Sequence, residues 1–305
     1  MRRFWLGLAA ASVVSACGGG NPFTTTTDDD TDTGTDTESA IPDALANDLE
    51  SVSYDPSNQT LTVSGVSLDE TPFSASYVRK TALDRDGYEA YTVQDSSLDR
   101  HSTAYVRQIE GGYAVVVATG GQFNYYFAGT NYGRTGSYSA PDTDQPSGGL
   151  VSYAGSYVGL LNTAGSGEDL LPVAAGTPSE LQPDQAAEIT GDVFINADFA
   201  DNTVNGLIYN RAVTDNGSAS PANLELAPTS ITEDGTFTGD VSIDKTNFGE
   251  YGGIFSGTDA AAVAGSVHAT GHIDGYSSDI EEYGVFVLGQ CGGDNSDPVC
   301  DQPTP

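Results

Sequence analysis

Alternation of apolar and polar residues is the feature that most constrains how this chain can fold. It recurs between residues 150 and 289, and its clearest instance is 253–267, where two alternating runs flank a Gly/Asp turn. Alternation with a period of two is typical of a strand with one buried face, and two strands joined by a tight turn form a β-hairpin. Residues 150–289 are therefore predicted to form consecutive antiparallel strands.

Eight strands are predicted in this part of the chain, at residues 151–161, 191–199, 203–210, 223–226, 236–243, 251–256, 263–269 and 283–289. Eight antiparallel strands are enough to close a small barrel. Asp192, Asn196 and Asp198 alternate with apolar residues, so the outer face is too polar to contact lipid. We predict an all-β fold with a soluble eight-stranded antiparallel β-barrel at residues 150–290.

A smaller β-rich region is predicted at residues 40–140, before the barrel. Its strands are expected as a hairpin of 52–54 with 60–63, followed by 89–93, 102–109, 112–119 and 122–128. A stretch rich in Pro, Gly and Asp follows at 139–149, which is the composition of a domain boundary.

The first 16 residues have the pattern of a lipoprotein signal peptide. Arg2 and Arg3 precede an apolar core at 4–14, and the sequence Val-Ser-Ala-Cys ends at Cys17, where a bacterial lipobox would be cleaved and lipidated. The alternative is an ordinary secretory signal with a chance cysteine. Gly18 after the cysteine is typical of sorting to the outer membrane. We predict a lipid anchor at Cys17 as the membrane contact, with the protein on the cell surface or the periplasmic face.

Residues 17–39 are predicted to be an extended tether because Gly, Thr and Asp leave almost nothing to bury. Asp28, Asp30 and Asp32 have the spacing that begins a calcium loop. Thr33 and Ser39 stand where that loop needs Gly and Glu. The tether is the preferred interpretation.

The net charge of the chain limits which classes of partner can be expected. The formal net charge is −33, and without residues 1–16 the chain has 8 basic and 43 acidic residues, formally −35. Such a surface repels nucleic acid, so no nucleic-acid partner is expected.

Cys291 and Cys300 form an even pair that an oxidising compartment would join, which fixes the tail at 291–305. Their spacing, without a nearby His, does not indicate a metal site.

Aromatic and basic residues are concentrated between residues 79 and 138. Exposed Tyr with Arg is typical of binding surfaces, and Tyr125, Tyr126, Tyr132 and Arg134 are predicted to form one. The alternative is that these tyrosines are ordinary strand residues with packed rings.

No catalytic motif is found. His268 and His272 would lie too far apart on a strand to share a metal, and His101 is expected at the surface. Two glycosidase carboxylates can lie anywhere in a sequence, so that class stays open. We expect a non-enzymatic protein without cofactor or metal.

Three segments resemble signature motifs of the transferrin-binding protein B barrel domain. Residues 253–265 resemble its G-x-F-Y-G-P-x-A-x-E-x-x-G hairpin, 198–206 a second hairpin, and 235–239 a G-x-F-x-G strand. The Tyr, Pro and Glu of the family pattern fall at Ser256, Thr258 and Ala262. The resemblance covers roughly the last half of the chain.

This resemblance implies a barrel in an outer-membrane lipoprotein that binds an iron source, another solute or a protein. One barrel with one upstream β-region corresponds to half of the two-lobed receptor and to smaller single-lobe relatives. A structural or adhesive envelope lipoprotein without a small ligand is the alternative function.

Overall fold

The computed structural model describes residues 41–66, 72–121, 126–144, 148–214, 220–292, 295 and 297–301. It contains one short α-helix, α1 (Asp43–Ala46), and two groups of strands. The first group is β1 (Leu49–Asp55), β2 (Thr60–Val66), β3 (Pro72–Arg79), β4 (Glu89–Val93), β5 (Ser102–Ile109), β6 (Gly112–Thr119) and β7 (Ala128–Arg134). The second is β8 (Leu150–Ala164), β9 (Ala186–Asp198), β10 (Thr203–Val213), β11 (Leu224–Ser230), β12 (Thr236–Ile243), β13 (Thr246–Ser256), β14 (Ala262–Thr270) and β15 (Glu281–Gln290). Single 3₁₀ turns lie at Thr81–Leu83, Ser179–Leu181, Thr258–Ala260 and Pro298–Asp301.

Strands β8 to β15 form a closed antiparallel barrel of eight strands, in which β15 pairs with β8 to complete the ring. The predicted all-β fold and its eight-stranded barrel are therefore confirmed. Closure leaves no unpaired edge, because every strand is hydrogen-bonded on both sides. Alternate side chains fill the interior, where Phe199, Phe237 and Phe255 pack ring against ring.

The β13–β14 hairpin explains why glycine recurs in the motifs. Gly253 and Gly265 lie directly opposite each other. A Cβ atom at Gly253 would lie 2.4 Å from the ring of Phe237, and one at Gly265 would lie 2.4 Å from the ring of Phe286. Both distances are far below van der Waals contact, so the two glycines make room for two core aromatic rings. Phe237, the aromatic residue of the 235–239 motif, thus packs on the 253–265 motif.

Strands β1 to β7 form a seven-stranded antiparallel sheet in sequence order. The sheet curls into a nearly closed barrel with its own core, which includes Val63, Tyr91 and Val115. Its two edges approach at Asp48, whose amide donates to the carbonyl of Ala128 (3.2 Å) and whose carboxylate accepts from the Ala128 amide (3.0 Å).

Two strand assignments in this sheet differ from the prediction. No strand was expected at β3, where the outward positions Ser74 and Ser76 are small and polar and give a weak alternation. The predicted strand at 122–128 is wrong at its described end, because β7 begins only at Ala128. Residues 122–125 lie outside the described residues. Gly129 and Gly133 within β7 obscure its pattern in the sequence.

β6 and β15 are buried on both faces, and this joins the sheet to the barrel. The residues of β6 alternate between the core of the sheet (Tyr113, Val115, Val117) and a second cluster (Ala114, Val116, Ala118). In β15, Phe286 and Leu288 face the barrel core, whereas Tyr283, Val285 and Val287 belong to that second cluster. The outer face of the barrel is therefore apolar where the sheet covers it. The polar outer face predicted from β9 does not extend to β15.

Tyr88 bridges a gap in the barrel ladder. β15 and β8 pair at Phe286–Tyr157 and again at Gly289–Ala154, but not between. The Tyr88 hydroxyl fills this gap, accepting from the amide of Val287 (3.0 Å) and donating to the carbonyl of Ser156 (3.0 Å). A side chain of the sheet thus completes a hydrogen-bond path between two strands of the barrel.

The C-terminal residues are fastened to the outside of the barrel. Cys291 and Cys300 form a disulfide with a Cα–Cα distance of 5.5 Å. Val299 packs with Ala154, Phe194 and Tyr209. Among the described residues no helix has the length and apolar character needed to cross a membrane.

Candidate ligand-binding pocket

A pocket opens where β3 and β4 part. These two strands pair only at Val78–Thr92 and Arg79–Tyr91. The start of β3 continues its pairing with β2, whereas the chain after Val93 turns away into the β4–β5 loop. The strands therefore splay at one end of the sheet, and the space between them is not filled by the core.

The pocket has a volume of about 280 Å³. Its walls come from β3, the end of β4, the β4–β5 loop, the adjoining ends of β5 and β6, and the residue before β7. The lining residues are Ser74, Ala75, Tyr77, Val93, Gln94, Asp95, Asp99, Arg100, Ser102, Thr119 and Phe127. An apolar wall with a few polar groups is typical of small-molecule sites, whose volumes begin at about 300 Å³. The size and lining suit a small organic ligand.

Most polar side chains of the lining are already hydrogen-bonded. The Tyr77 hydroxyl lies 2.8 Å from Ser102 Oγ, and burial raises the pKa of Tyr77, so it stays protonated. Thr119 Oγ1 accepts from the amide of Phe127 (2.8 Å). Gln94 donates to the carbonyl of Asp99 (3.0 Å) and accepts from the amide of Leu171 (2.8 Å). These hydrogen bonds hold the pocket wall in place, so the groups that form them are not free to bind a ligand.

The charged side chains Arg100, Asp95 and Asp99 are the exceptions, and Arg100 is the one cation among them. Its side chain is half-buried, and it has no ion pair or hydrogen bond among the described residues. Burial lowers the pKa of its guanidinium, although an arginine stays charged in proteins. The described carboxylates of the lining, Asp95 and Asp99, are exposed and do not pair with it.

Asp169 ties the β8–β9 loop (residues 165–185) to the sheet beside the pocket. Its carboxylate accepts from Lys80 Nζ (2.8 Å) and Thr92 Oγ1 (2.6 Å) and lies 3.0 Å from His101 Nε2. Burial opposes ionisation of Asp169, but the hydrogen bonds from Lys80, Thr92 and His101 outweigh it and lower the pKa of the carboxyl. The expectation that His101 is a surface residue is wrong, because its side chain is fully buried against Asp169 of this loop.

The predicted Tyr/Arg surface is not assembled in the described part of the chain. Tyr125 lies outside the described residues. Tyr126 is half-buried, with its hydroxyl against Gly121. Tyr132 is 3% exposed and packs in the cluster shared by sheet and barrel. Arg134 donates to the carbonyls of Phe255 (3.0 Å) and Asp234 (2.7 Å).

Tyr132 and Arg134 therefore contribute to the sheet–barrel interface, not to an exposed binding surface. The Arg134 guanidinium also lies 4.9 Å from the centre of the Tyr138 ring. Burial lowers the pKa of Arg134. Alternation cannot reveal this, because a second covering layer buries the outward face of β7.

A buried polar cluster occupies one end of the barrel. Arg211 donates to the Glu282 carboxylate, which also lies 2.8 Å from His272 Nε2 and accepts from the Tyr157 hydroxyl (2.6 Å). Burial disfavours the charged form of Glu282, but Arg211 and His272 outweigh it and lower its pKa to about 2. The side chains of Arg211, His272 and Glu282 have no exposed surface, so a substrate cannot reach them. The cluster is a structural ion pair.

His268 lies apart from His272. It stacks on the ring of Tyr283 at 4.4 Å, and burial lowers its pKa against the opposing effect of Glu281. The described residues contain no group of three or more His, Cys, Asp or Glu side chains placed to hold a metal.

No sequence motif points directly to the pocket residues Tyr77, Arg100 and Phe127. The concentration of aromatic and basic residues indicates this region, but Tyr132 and Arg134 of β7 lie in the sheet–barrel interface and not in the pocket. The position of the pocket depends on the short pairing between β3 and β4, which leaves no mark in the residue pattern.

No protein-family model and no curated protein matches the chain. Among solved structures, the chain is similar to intact transferrin-binding protein B with N and C lobes (TM-score 0.36, 13% identity, 78% of this chain and 53% of that chain). It is also similar to a transferrin-binding protein B double mutant from Haemophilus parasuis (TM-score 0.37, 12% identity, 79% of this chain and 54% of that chain). A third similar structure is isotype 1 transferrin-binding protein B from serogroup B Neisseria meningitidis (TM-score 0.32, 12% identity, 79% of this chain and 52% of that chain). The chain spans about half the length of these structures, which bear the name of the family that its hairpin motifs resemble.

Proposed function

We propose that this protein is a lipid-anchored, non-catalytic binding protein of the bacterial outer membrane that holds a small solute in the pocket between β3 and β4. The observation that carries the proposal is the pocket itself, a space of about 280 Å³ with an apolar wall and an unpaired cation. Hydrogen bonds hold Tyr77, Gln94, Ser102 and Thr119 in its wall, so much of the pocket is preformed before a ligand binds.

The lipobox at Cys17 supports the proposed location. The motif resemblance implies that the ligand is an iron source, another solute or a protein. Of these, the size of the pocket favours a small solute. A protein ligand held through Tyr132 is disfavoured because that side chain is buried.

Native mass spectrometry of the protein purified from its own membrane tests the binding function. Ala75 points into the pocket, so Ala75→Phe fills it, whereas Ser76→Phe on the same strand adds the same ring on the exposed side. We expect a co-purified small molecule on the wild type and on Ser76→Phe, and its loss from Ala75→Phe. Equal retention by both variants contradicts the proposal.

The location has its own test. Cys17→Ala should abolish incorporation of labelled palmitate and release the protein from the membrane fraction. Protease shaving of intact cells, with a periplasmic protein as control, then separates the cell surface from the periplasmic face. A Cys17→Ala variant that still takes up lipid contradicts the proposed anchor.

A structural or adhesive envelope lipoprotein is the second candidate. It is favoured by one observation, the use of Tyr132 and Arg134 in the sheet–barrel interface instead of an exposed surface. This function predicts no bound small molecule and no effect of Ala75→Phe on envelope integrity beyond that of Ser76→Phe.

A further inference from the structure

The ligand class can be inferred from the charges and walls of the pocket, and this step rests on the proposed function. Arg100 lies in the β4–β5 loop, whose conformation is held by the two hydrogen bonds of Gln94, to the carbonyl of Asp99 and from the amide of Leu171. The loop is therefore fixed both to itself and to the β8–β9 loop. The backbone that carries Arg100 is thus held in place before a ligand arrives, which reduces the entropy lost on binding.

An unpaired, half-buried guanidinium is unusual in a chain with 43 acidic residues. A buried charge normally has a partner, because desolvation is costly when nothing compensates it. Three other described basic residues of the sheet have a carboxylate partner, whereas Arg107 lies over the ring of Tyr88 at 5.3 Å. Arg79 pairs with Asp84, Lys80 with Asp169, and Arg85 with Glu188. Arg100 is left with its donors facing solvent and the pocket.

Part of the pocket wall is apolar. Ala75, Val93 and Phe127 line the pocket, and Tyr77 adds its ring while its hydroxyl is hydrogen-bonded to Ser102. An apolar body can lie against these side chains and displace water from them. A ligand that satisfies both features carries one anionic group and one apolar part.

Asp95 and Asp99 limit the charge of that ligand. Both line the pocket at exposed positions. Two carboxylates in the pocket lining disfavour a second anionic group on the ligand, whereas one carboxylate can be neutralised by Arg100. A guanidinium also matches the planar, two-oxygen geometry of a carboxylate.

We propose that the pocket binds a small monocarboxylate with an apolar body, whose carboxylate pairs with Arg100 and whose body packs against Tyr77, Val93 and Phe127. Neutral analogues lack the ion pair, and dicarboxylates bring a second charge close to Asp95 and Asp99.

Isothermal titration calorimetry on the full-length mature protein tests this with three probes that share a phenyl group. These are 3-phenylpropionate, the neutral 3-phenylpropan-1-ol and the dianionic 2-phenylsuccinate. We expect 3-phenylpropionate to bind at least about tenfold more tightly than either analogue, the size of effect that one charge-assisted hydrogen-bonded pair produces. Equal affinity for the alcohol, or no binding of the acid, overturns the proposal.

Variants of the cation give a second readout. Arg100→Gln should weaken 3-phenylpropionate binding about tenfold or more, while Arg100→Lys keeps the charge and retains part of the affinity. Lys245→Asn, at the exposed turn between β12 and β13, removes one positive charge away from the pocket and serves as the control. Unchanged affinity in Arg100→Gln, or the same loss in Lys245→Asn, overturns the role of Arg100. A melting curve for each variant separates a lost contact from a lost fold.

The two proposals fail differently. If Ala75→Phe loses its co-purified solute but Arg100→Gln retains it, the pocket binds a ligand of another class and only the monocarboxylate proposal is wrong. If Ala75→Phe retains that solute as Ser76→Phe does, the binding function itself is wrong.

Discussion

Glu282 is the residue whose ionisation matters most to the barrel. Burial alone would keep it protonated, but Arg211 and His272 hold it ionised and lower its pKa from 4.5 to about 2. Because the pKa in the folded state is below the ordinary value, the pair stabilises the fold fully above pH 4.5. Its contribution declines as the pH falls from 4.5 towards 2.

We predict that Glu282→Gln destabilises the protein by about 3–5 kcal/mol at pH 7, because it leaves the Arg211 guanidinium buried without its counter-ion. The variant should also lose less stability than the wild type between pH 4.5 and 2. Urea unfolding at several pH values measures both effects.

Glu281→Gln is the matched control for this prediction, since Glu281 is the adjacent residue and its side chain is 40% exposed. Its effect should be within about 1 kcal/mol of the wild type, as for other exposed charges. A Glu282→Gln protein as stable as Glu281→Gln contradicts the role assigned to the pair.

Gly253 provides a second prediction at this scale. A methyl group there meets the Phe237 ring at 2.4 Å and the Ala264 carbonyl at 2.8 Å. Gly253→Ala should therefore destabilise the barrel by about 1–3 kcal/mol through overpacking. Phe237→Leu in the same chain removes the ring, so the two changes should cost less together than the sum of their separate costs. Thermal unfolding of both single variants and the double variant measures the coupling, and strict additivity contradicts the contact.

At the scale of elements, the β8–β9 loop is held by one carboxylate. Asp169 accepts from Lys80, Thr92 and His101, which belong to or adjoin β3, β4 and β5. Hydrogen bonds from three parts of the sheet thus meet at one residue of the loop. The loop also supports the pocket through the bond from Leu171 to Gln94.

We predict that Asp169→Asn increases hydrogen exchange in residues 165–185 and lowers the stability by about 1 kcal/mol, because the charge paired with Lys80 is partly exposed. Glu168→Gln is the control, since Glu168 is the exposed neighbour in the same loop. The same loosening should occur in the wild type as the pH falls below the ordinary carboxyl range, where the lowered pKa of Asp169 is passed. Exchange rates that rise equally in both variants contradict this.

Strands with clear alternation and short turns were predictable from the sequence. The predicted strands 89–93, 102–109, 112–119 and 236–243 agree with β4, β5, β6 and β12 at both ends. β3 was missed because its outward positions are serines, and β7 was misplaced because it contains two glycines. The pocket depends on where pairing between β3 and β4 stops, which is a property of two strands together and not of either sequence.

At the scale of the whole molecule, sheet and barrel share a core. The sequence contained part of this information, since 112–119 is apolar at nearly every position and a strand of that kind is buried on both faces. The partner of its second face could not be predicted. The barrel strand β15 covers this face of β6 and has a similar unbroken run of apolar residues. Many buried strands have such a run, so it does not identify β15 as the partner of β6.

We predict that Tyr88→Phe destabilises the protein by about 1–3 kcal/mol, because the Val287 amide is left buried without an acceptor. Tyr105→Phe is the control, as Tyr105 is also buried in the shared cluster but donates to Leu83 within the first region. Hydrogen exchange at Val287 should rise in Tyr88→Phe only. An unchanged exchange rate there contradicts the bridge.

The double burial of β6 also determines when the chain can finish folding. Synthesis delivers the chain from its N-terminus, so β6 is available long before β15, and until then its outward face is covered only in part, by β8 and β14. For a chain exported as its first residues predict, completion of the fold waits for the final strand. Such a delay favours passage through the membrane in an unfolded state. It also identifies one face, carrying Ala114, Val116 and Ala118, that a periplasmic chaperone would have to shield.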